Sequence, residues 1–235
     1  MSIIYKENMM DFYGFYTGKI FDAYKYLGAH VEEKGVTFRT FAPSASRITL
    51  IGEFNDWQEW EMNKVSDGNF WECYVPQAKA GQMYKYKIYD RNSNPVDHCD
   101  PYGFGMELRP SSASIIRDMS KYKFKDSQWL QNRSDCRKKP LNIYEIHFGS
   151  FRKPSDKADD WYNYEEMIDI LIPYLVKNGY NYLEIMPLNE YPCDESWGYQ
   201  ATGFFSPTSR YGTADQLKAF IDACHKHNIG VLMDF

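Results

Sequence analysis

The 235-residue chain has no apolar run of the length needed to cross a membrane. Its start, MSIIYKENMMDFYGFY, lacks a basic region followed by an apolar stretch, so no secretory leader is expected. Cysteine is sparse: Cys73, Cys99, Cys136, Cys193 and Cys224 are odd in number, scattered, and form no CxxC pair. That pattern argues against a disulfide scaffold or a zinc site and for reduced thiols in a cytoplasmic protein. Positive charge is in deficit, with 27 Lys and Arg against 32 Asp and Glu. A net charge of -5 offers no basic face, so no nucleic-acid partner is expected. There is no glycine-rich phosphate loop and no calcium-loop spacing; Asp159 and Asp160 read as a solvated pair. No metal and no cofactor is expected.

What the chain has in excess is aromatic surface, 17% of residues with 20 Tyr and 6 Trp. Such rings pack cores, and they also stack on sugars, bases and cations. The chain is long enough for one large or two medium domains. Residues 34–118 alternate in short runs: GVTFRTFAP sets Val36, Phe38 and Thr40 against Thr37, Arg39 and Phe41, and in MYKYKIYD Tyr84, Tyr86 and Ile88 share a face. Turn signals at 42–44, 67–68, 80–81 and 91–94 separate the runs, which predicts a β-sandwich. Residues 1–33 read as a partly structured lead-in and 119–140, polar and strand-poor, as a linker.

From residue 141 the rhythm changes. LNIYEIHF is apolar and continuous, the pattern of a strand buried on both faces, which makes His147 a core histidine. Asn163 with Glu166 forms a capping-box start, followed by Tyr164, Met167, Ile168, Leu171, Ile172 and Leu175 at helical spacing. Pro173 is expected to bend or interrupt that helix. NYLEIMPL predicts a second strand, Thr213 and Gln216 a second capping box, and IGVLMDF a third strand. The order is β-α-β-α-β, with parallel strands. His225 and His227 lie two apart on the second helix, so they read as surface residues that share no face. Three parallel strands leave an apolar edge open to self-association, and the chain is expected to be part of a longer protein.

The stretch SWGYQATGFFSPTSRYGT, residues 196–213, carries five rings in apparently irregular sequence. It lies between the second strand and the second helix, in a connection running from Asn189 to Thr213. That is far longer than the roughly 2–6 residues usual there. Such a loop emerges at the carboxyl end of the strands, where α/β folds bind ligands. It is expected to wall a cleft, with Tyr199 and Trp197 facing a ligand and Phe204 and Phe205 packing the loop down. Glu190, ending the second strand, is equally open to a functional, solvated or structural role.

These residues resemble a family. SWGYQATGFFSPTSRYGT resembles the second-strand loop of bacterial glycogen branching enzymes of the alpha-amylase superfamily. YLGAH at 26–30, GEFNDW at 52–57, DPYGFGMELRPSSASII at 100–116, YEIHFGSF at 144–151, YLEIMPLNEYP at 182–192 and VLMDF resemble that family's segments in the same order. The resemblance implies an immunoglobulin-like, glucan-binding-type β-sandwich over 34–118. It implies that residues 141–235 are the first β-α-β-α-β part of a truncated (β/α)8 TIM barrel.

It also implies chemistry: α-1,4-glucan or glycogen as substrate, cut and rejoined through an α-1,6 bond by retaining double displacement. The nucleophilic and acid carboxylates of that family lie beyond Phe235, so no catalytic residue is assigned and the chain alone is expected to be inactive. Tyr199 corresponds to a tyrosine against the donor sugar, and Asp234 to an acid that supports the site without doing the chemistry. In the sandwich, Trp57, Asn55 and Lys85 correspond to glucan-touching positions of similar modules, which in other cases buttress the barrel; Trp60 and Trp71 read as packing or surface rings. Two alternatives stay open: a debranching hydrolase of pullulanase or isoamylase type, and a non-catalytic glucan-binding protein.

Overall fold

The computed structural model describes residues 10–133 and 138–235; Cys136 lies outside them. The chain divides into two compact units, one comprising residues up to Met106 with Ser112–Asp118, the other Glu107–Ser111 with Met119–Phe235.

The first unit begins with a short helix α1 (Phe12–Tyr16), capped by the Asp11 carboxylate on the Gly14 amide. Nine strands follow: β1 (Gly28–Glu32), β2 (Gly35–Phe41), β3 (Arg47–Gly52), β4 (Trp60–Glu61), β5 (Asn63–Val65), β6 (Phe70–Val75), β7 (Met83–Tyr89), β8 (Pro95–His98) and β9 (Ser114–Ile115). One sheet runs β1-β2-β6-β5; the other runs β4-β3-β7-β8, with β9 beside β7. The expected alternation holds. Val36, Phe38, Ile48, Leu50, Trp71, Cys73, Val75, Tyr84 and Tyr86 form one buried cluster between the sheets. Burying each such side chain stabilises by about 1.5–3 kcal/mol relative to leaving it exposed. The outer side of the first sheet is also covered. Phe41 and Phe70, paired across β2 and β6, meet the rings of Phe12 and Phe15 edge-on. The lead-in thus contributes both a strand and a lid of rings.

The second unit contains helix α2 (Ser127–Asn132), strand β10 (Ile143–Ile146), helix α3 (Phe148–Phe151), helix α4 (Glu166–Lys177), strands β11 (Tyr182–Ile185), β12 (Asn189–Glu190) and β13 (Gly203–Pro207), helix α5 (Ala214–Lys226) and strand β14 (Gly230–Met233). β10, β11 and β14 form a parallel sheet in that order, in register through Ile146, Ile185 and Met233. Their helix-facing side chains join Met167, Leu171, Leu175, Leu217 and Phe220 in one core.

Both capping boxes form. Asn163 accepts from the Glu166 amide and Glu166 from the Asn163 amide, at 2.9 and 2.8 Å. Thr213 and Gln216 do the same at α5.

Several expectations are corrected. β10 is not buried on both faces, since Ile143 and Glu145 are exposed. The face of the sheet away from the helices is open. Pro173 does not interrupt α4, which runs unbroken through it. Pro173 and Asp169, whose carbonyl loses its helical partner, are both exposed, so water can satisfy that oxygen.

The linker stretch is also more structured than its polarity suggests. Tyr122 donates to the Asp222 carboxylate at 2.8 Å, and Asp126 pairs with His225 Nδ1 at 2.8 Å. Trp129 stacks on the His225 ring at 4.9 Å. His225 is therefore packed, not a surface residue, whereas His227 is exposed. No helix among the described residues is long and apolar enough to cross a membrane.

Candidate functional site

The loop from Asn189 to Thr213 has an internal frame. β13 pairs antiparallel with β12, an irregular two-residue partner, which is why no strand period is visible in the sequence. Beneath this ribbon lies a buried ion pair. Arg210 Nη1 donates to Glu190 Oε1 at 2.8 Å, to the Tyr191 carbonyl at 2.9 Å and to Thr208 Oγ1 at 3.2 Å. The guanidinium also sits over the Tyr191 ring, 3.8 Å from its centroid. The Ser209 amide donates to Glu190 Oε2 at 2.6 Å. Burial raises the Glu190 carboxyl above its ordinary range, against the Ser209 amide and the Arg210 charge, which lower it. Glu190 is therefore structural, tying the two ends of the loop together, and is not solvated.

The loop's middle is set by Asp194. It opens a short turn, Asp194–Ser196, and ends on two left-handed residues, Trp197 at φ 55° and Gly198 at φ 95°. A Cβ on Gly198 would stand 2.4 Å from the Pro187 carbonyl oxygen, so only glycine fits. The left-handed Trp197 costs of order 1–2 kcal/mol, which the turn's anchors must offset. Those anchors are the amides of Trp197 and Tyr199, which donate to the Asp194 and Ser196 carbonyls, each at 3.1 Å.

This turn delivers Tyr199 to the end of β14. The Tyr199 hydroxyl donates to Asp234 Oδ2 at 2.6 Å. The Asp234 bond, some burial, and the nearby charges of Asp234, Glu145 and Glu184 push the phenol up to about 12. Trp197 stands 6.2 Å from the His147 ring. His147 is half-buried just past β10, its Nδ1 2.9 Å from Ser150 Oγ. Burial lowers its pKa, with Arg210 adding to the effect.

The structure thus brings Tyr199, Trp197, Asp234 and His147 together at the carboxyl ends of the parallel strands. His147 was misassigned to the core because a strand ending at Ile146 cannot be told by pattern from one that continues. Tyr199 and Trp197 are 50% and 55% exposed, available to a ligand. Phe204 and Phe205, expected to pack the loop down, are exposed at 64% and 39%; Tyr211 does the packing, buried against Phe148 and Tyr164. Asp159 and Asp160 are not simply solvated, since Arg109 binds the first at 2.7 Å and Ser155 donates to the second. Cavities of about 550 and 570 Å³ lie elsewhere, around Trp129 near the amino ends of β11 and β14.

In the sandwich, Trp57 is 40% exposed on a left-handed turn. Asn55 has its amide committed to the Leu50 and Gln58 carbonyls, while its oxygen accepts from the Gly52 amide. It builds the turn that presents Trp57. Lys85 Nζ is 3.1 Å from Ser112 Oγ. Trp71 is packed, its indole nitrogen donating to the Ala42 carbonyl, and Trp60 is half-buried.

Residues 26–103 match the family carbohydrate-binding module 48 (isoamylase N-terminal domain). Along 99% of its length the chain is 41% identical to the 1,4-alpha-glucan branching enzyme GlgB of Fusobacterium nucleatum, and along 95% it is 44% identical to that of Dechloromonas aromatica. Over its own length the chain is thus similar to 1,4-alpha-glucan branching enzymes. It spans 38% and 36% of the length of those two proteins. Among solved structures it is similar to a candidate alpha amylase of Salmonella typhimurium, with TM-score 0.69 at 25% identity over 89% of this chain and 32% of that one. It shares its fold with a pullulanase of Bacillus acidopullulyticus, with TM-score 0.68 at 22% identity over 89% of this chain and 29% of the other.

Proposed function

We propose that the chain is the glucan-engaging part of a 1,4-alpha-glucan branching enzyme, with α-1,4-glucan or glycogen as its ligand. The sandwich acts as its carbohydrate-binding-type module. Residues 141–235 supply the first β-α-β-α-β part of a (β/α)8 barrel whose later strands carry the nucleophile and the acid.

The observation that carries the reading is the Tyr199–Asp234 hydrogen bond at the carboxyl ends of parallel strands, in a chain 41% identical to a branching enzyme along 99% of its length. Tyr199 presents a ring face to sugar C–H bonds while Asp234 fixes its hydroxyl. Trp197 offers a second ring, and Asp234 Oδ1, which accepts from the Phe235 amide at 2.7 Å, has a second lone pair for a sugar hydroxyl. In the sandwich, Trp57 is presented for stacking and Lys85 for a hydroxyl contact, with Asn55 bracing the turn.

Glycogen co-sedimentation tests the reading. The chain is expected to pellet with glycogen, and Tyr199→Ala and Trp57→Ala each to pellet less. A wild-type chain that stays in the supernatant sinks the proposal. A loss confined to Tyr199→Ala makes the sandwich a buttress. Without the later strands the chain is expected to leave the iodine staining of amylose unchanged; loss of stain would mean that its own residues do the chemistry.

A further inference from the structure

The loop turn has an external anchor that neither the family resemblance nor the sequence pattern assigned. Asp194 is held from two sides. Arg210 Nε and Nη2 donate to its Oδ1 at 3.0 and 2.5 Å. Arg109, from the separate segment Glu107–Ser111 of the same unit, donates through Nε to Oδ2 at 2.8 Å and also through Nη2. Arg109 is itself fixed by Asp159 at 2.7 Å and lies over the Trp161 ring at 5.9 Å. Burial alone would raise the Asp194 carboxyl, yet the two guanidiniums hold it below the ordinary range, so it stays charged.

We propose that Arg109 is a positioning residue for the glucan site: through Asp194 it sets the turn that presents Trp197 and Tyr199. The path is short and covalent after the clamp. Asp194 opens the turn, Trp197 and Gly198 are its left-handed exit, and Tyr199 follows directly with its hydroxyl on Asp234. Two forked donors on both oxygens of one carboxylate fix its plane as well as its place. A single lysine would hold the charge and leave the plane free. Arg210 is also tied to buried Glu190, so its replacement would disturb the fold; Arg109 is the member whose role can be isolated.

The inference rests on the glucan reading only for its ligand, and the test separates the two. In the 235-residue chain labelled with ¹³Cζ-tyrosine, the Tyr199 resonance is identified by its loss in Tyr199→Phe. Arg109→Ala is expected to move that resonance toward the value of a free phenol and to weaken maltoheptaose binding about fivefold, with the unfolding midpoint little changed. Arg109→Lys is expected to recover part of both effects. If the resonance stays in place in Arg109→Ala, the proposal is overturned. If it moves but even the wild type binds no maltoheptaose, the positioning role stands and the glucan reading falls.

Discussion

Asp100 in the sandwich and Glu190 in the α/β unit are both buried carboxylates, and the two are satisfied in opposite ways. In the sandwich, Asp100 is fully buried and accepts from neutral donors: the hydroxyls of Tyr84 and Tyr86 at 2.7 and 3.1 Å and the Tyr102 amide at 2.9 Å. Burial pushes it up to about 6, against those bonds, which lower it. In the α/β unit, Glu190 faces the Arg210 guanidinium and, through it, a chain of alternating charges to Asp194 and Arg109. The sandwich acid braces a static core of rings. The α/β pair braces a long loop, where a forked cation can bind the end of β12, Thr208 just past β13 and the turn at once.

The comparison is broken hardest at Arg210. Arg210→Met leaves Glu190 buried without its counter-charge and is expected to cost about 3–5 kcal/mol. Urea unfolding followed by the helical far-ultraviolet signal, which comes mainly from α4 and α5, should show the loss.

At Asp100 the effect depends on pH. Its folded pKa lies above its unfolded value, so the native state holds the proton longer, and this group's contribution to stability falls as pH rises from about 4 to about 6. Holding the proton up to about pH 6 rather than about 4 corresponds to about 3 kcal/mol. The stability of Asp100→Asn relative to wild type is therefore expected to rise by up to about that much between pH 4 and pH 7. A difference that stays flat across this range would mean that the tyrosine hydroxyls fully compensate burial.

Smaller effects sharpen the contrast. Thr213→Ala removes one half of the α5 capping box and is expected to cost about 1 kcal/mol, read from the urea midpoint. Trp57→Ala, on an exposed turn, is expected to change stability by less than about 0.5 kcal/mol while lowering glycogen pelleting.

What was legible in the sequence was local. Both capping boxes, the alternation of β2 and β7, and the strand order of the α/β unit follow from patterns a few residues long. The family resemblance singled out Tyr199 and Asp234 separately, and their hydrogen bond came only with the structure. What was not legible depends on partners far apart in the chain. Arg210 finds Glu190 and Asp194 only once β12 and β13 pair. His225 is covered only because Asp126 and Trp129 pack onto α5. Phe204 and Phe205 looked like packing rings because sequence gives their apolarity and not the direction of the ribbon that carries them. Asn55 has the side chain of a ligand-binding residue and spends it on its own turn.

The account turns on Tyr199 meeting an α-glucan at the carboxyl ends of the parallel strands. Calorimetric titration of maltoheptaose into the wild-type chain and into Tyr199→Ala, at equal folded concentration, tests this directly. Loss of one stacked ring should weaken binding at this site by about 1 kcal/mol or more, roughly fivefold to tenfold, with the unfolding midpoint unchanged. Equal affinity in the two proteins would contradict the account.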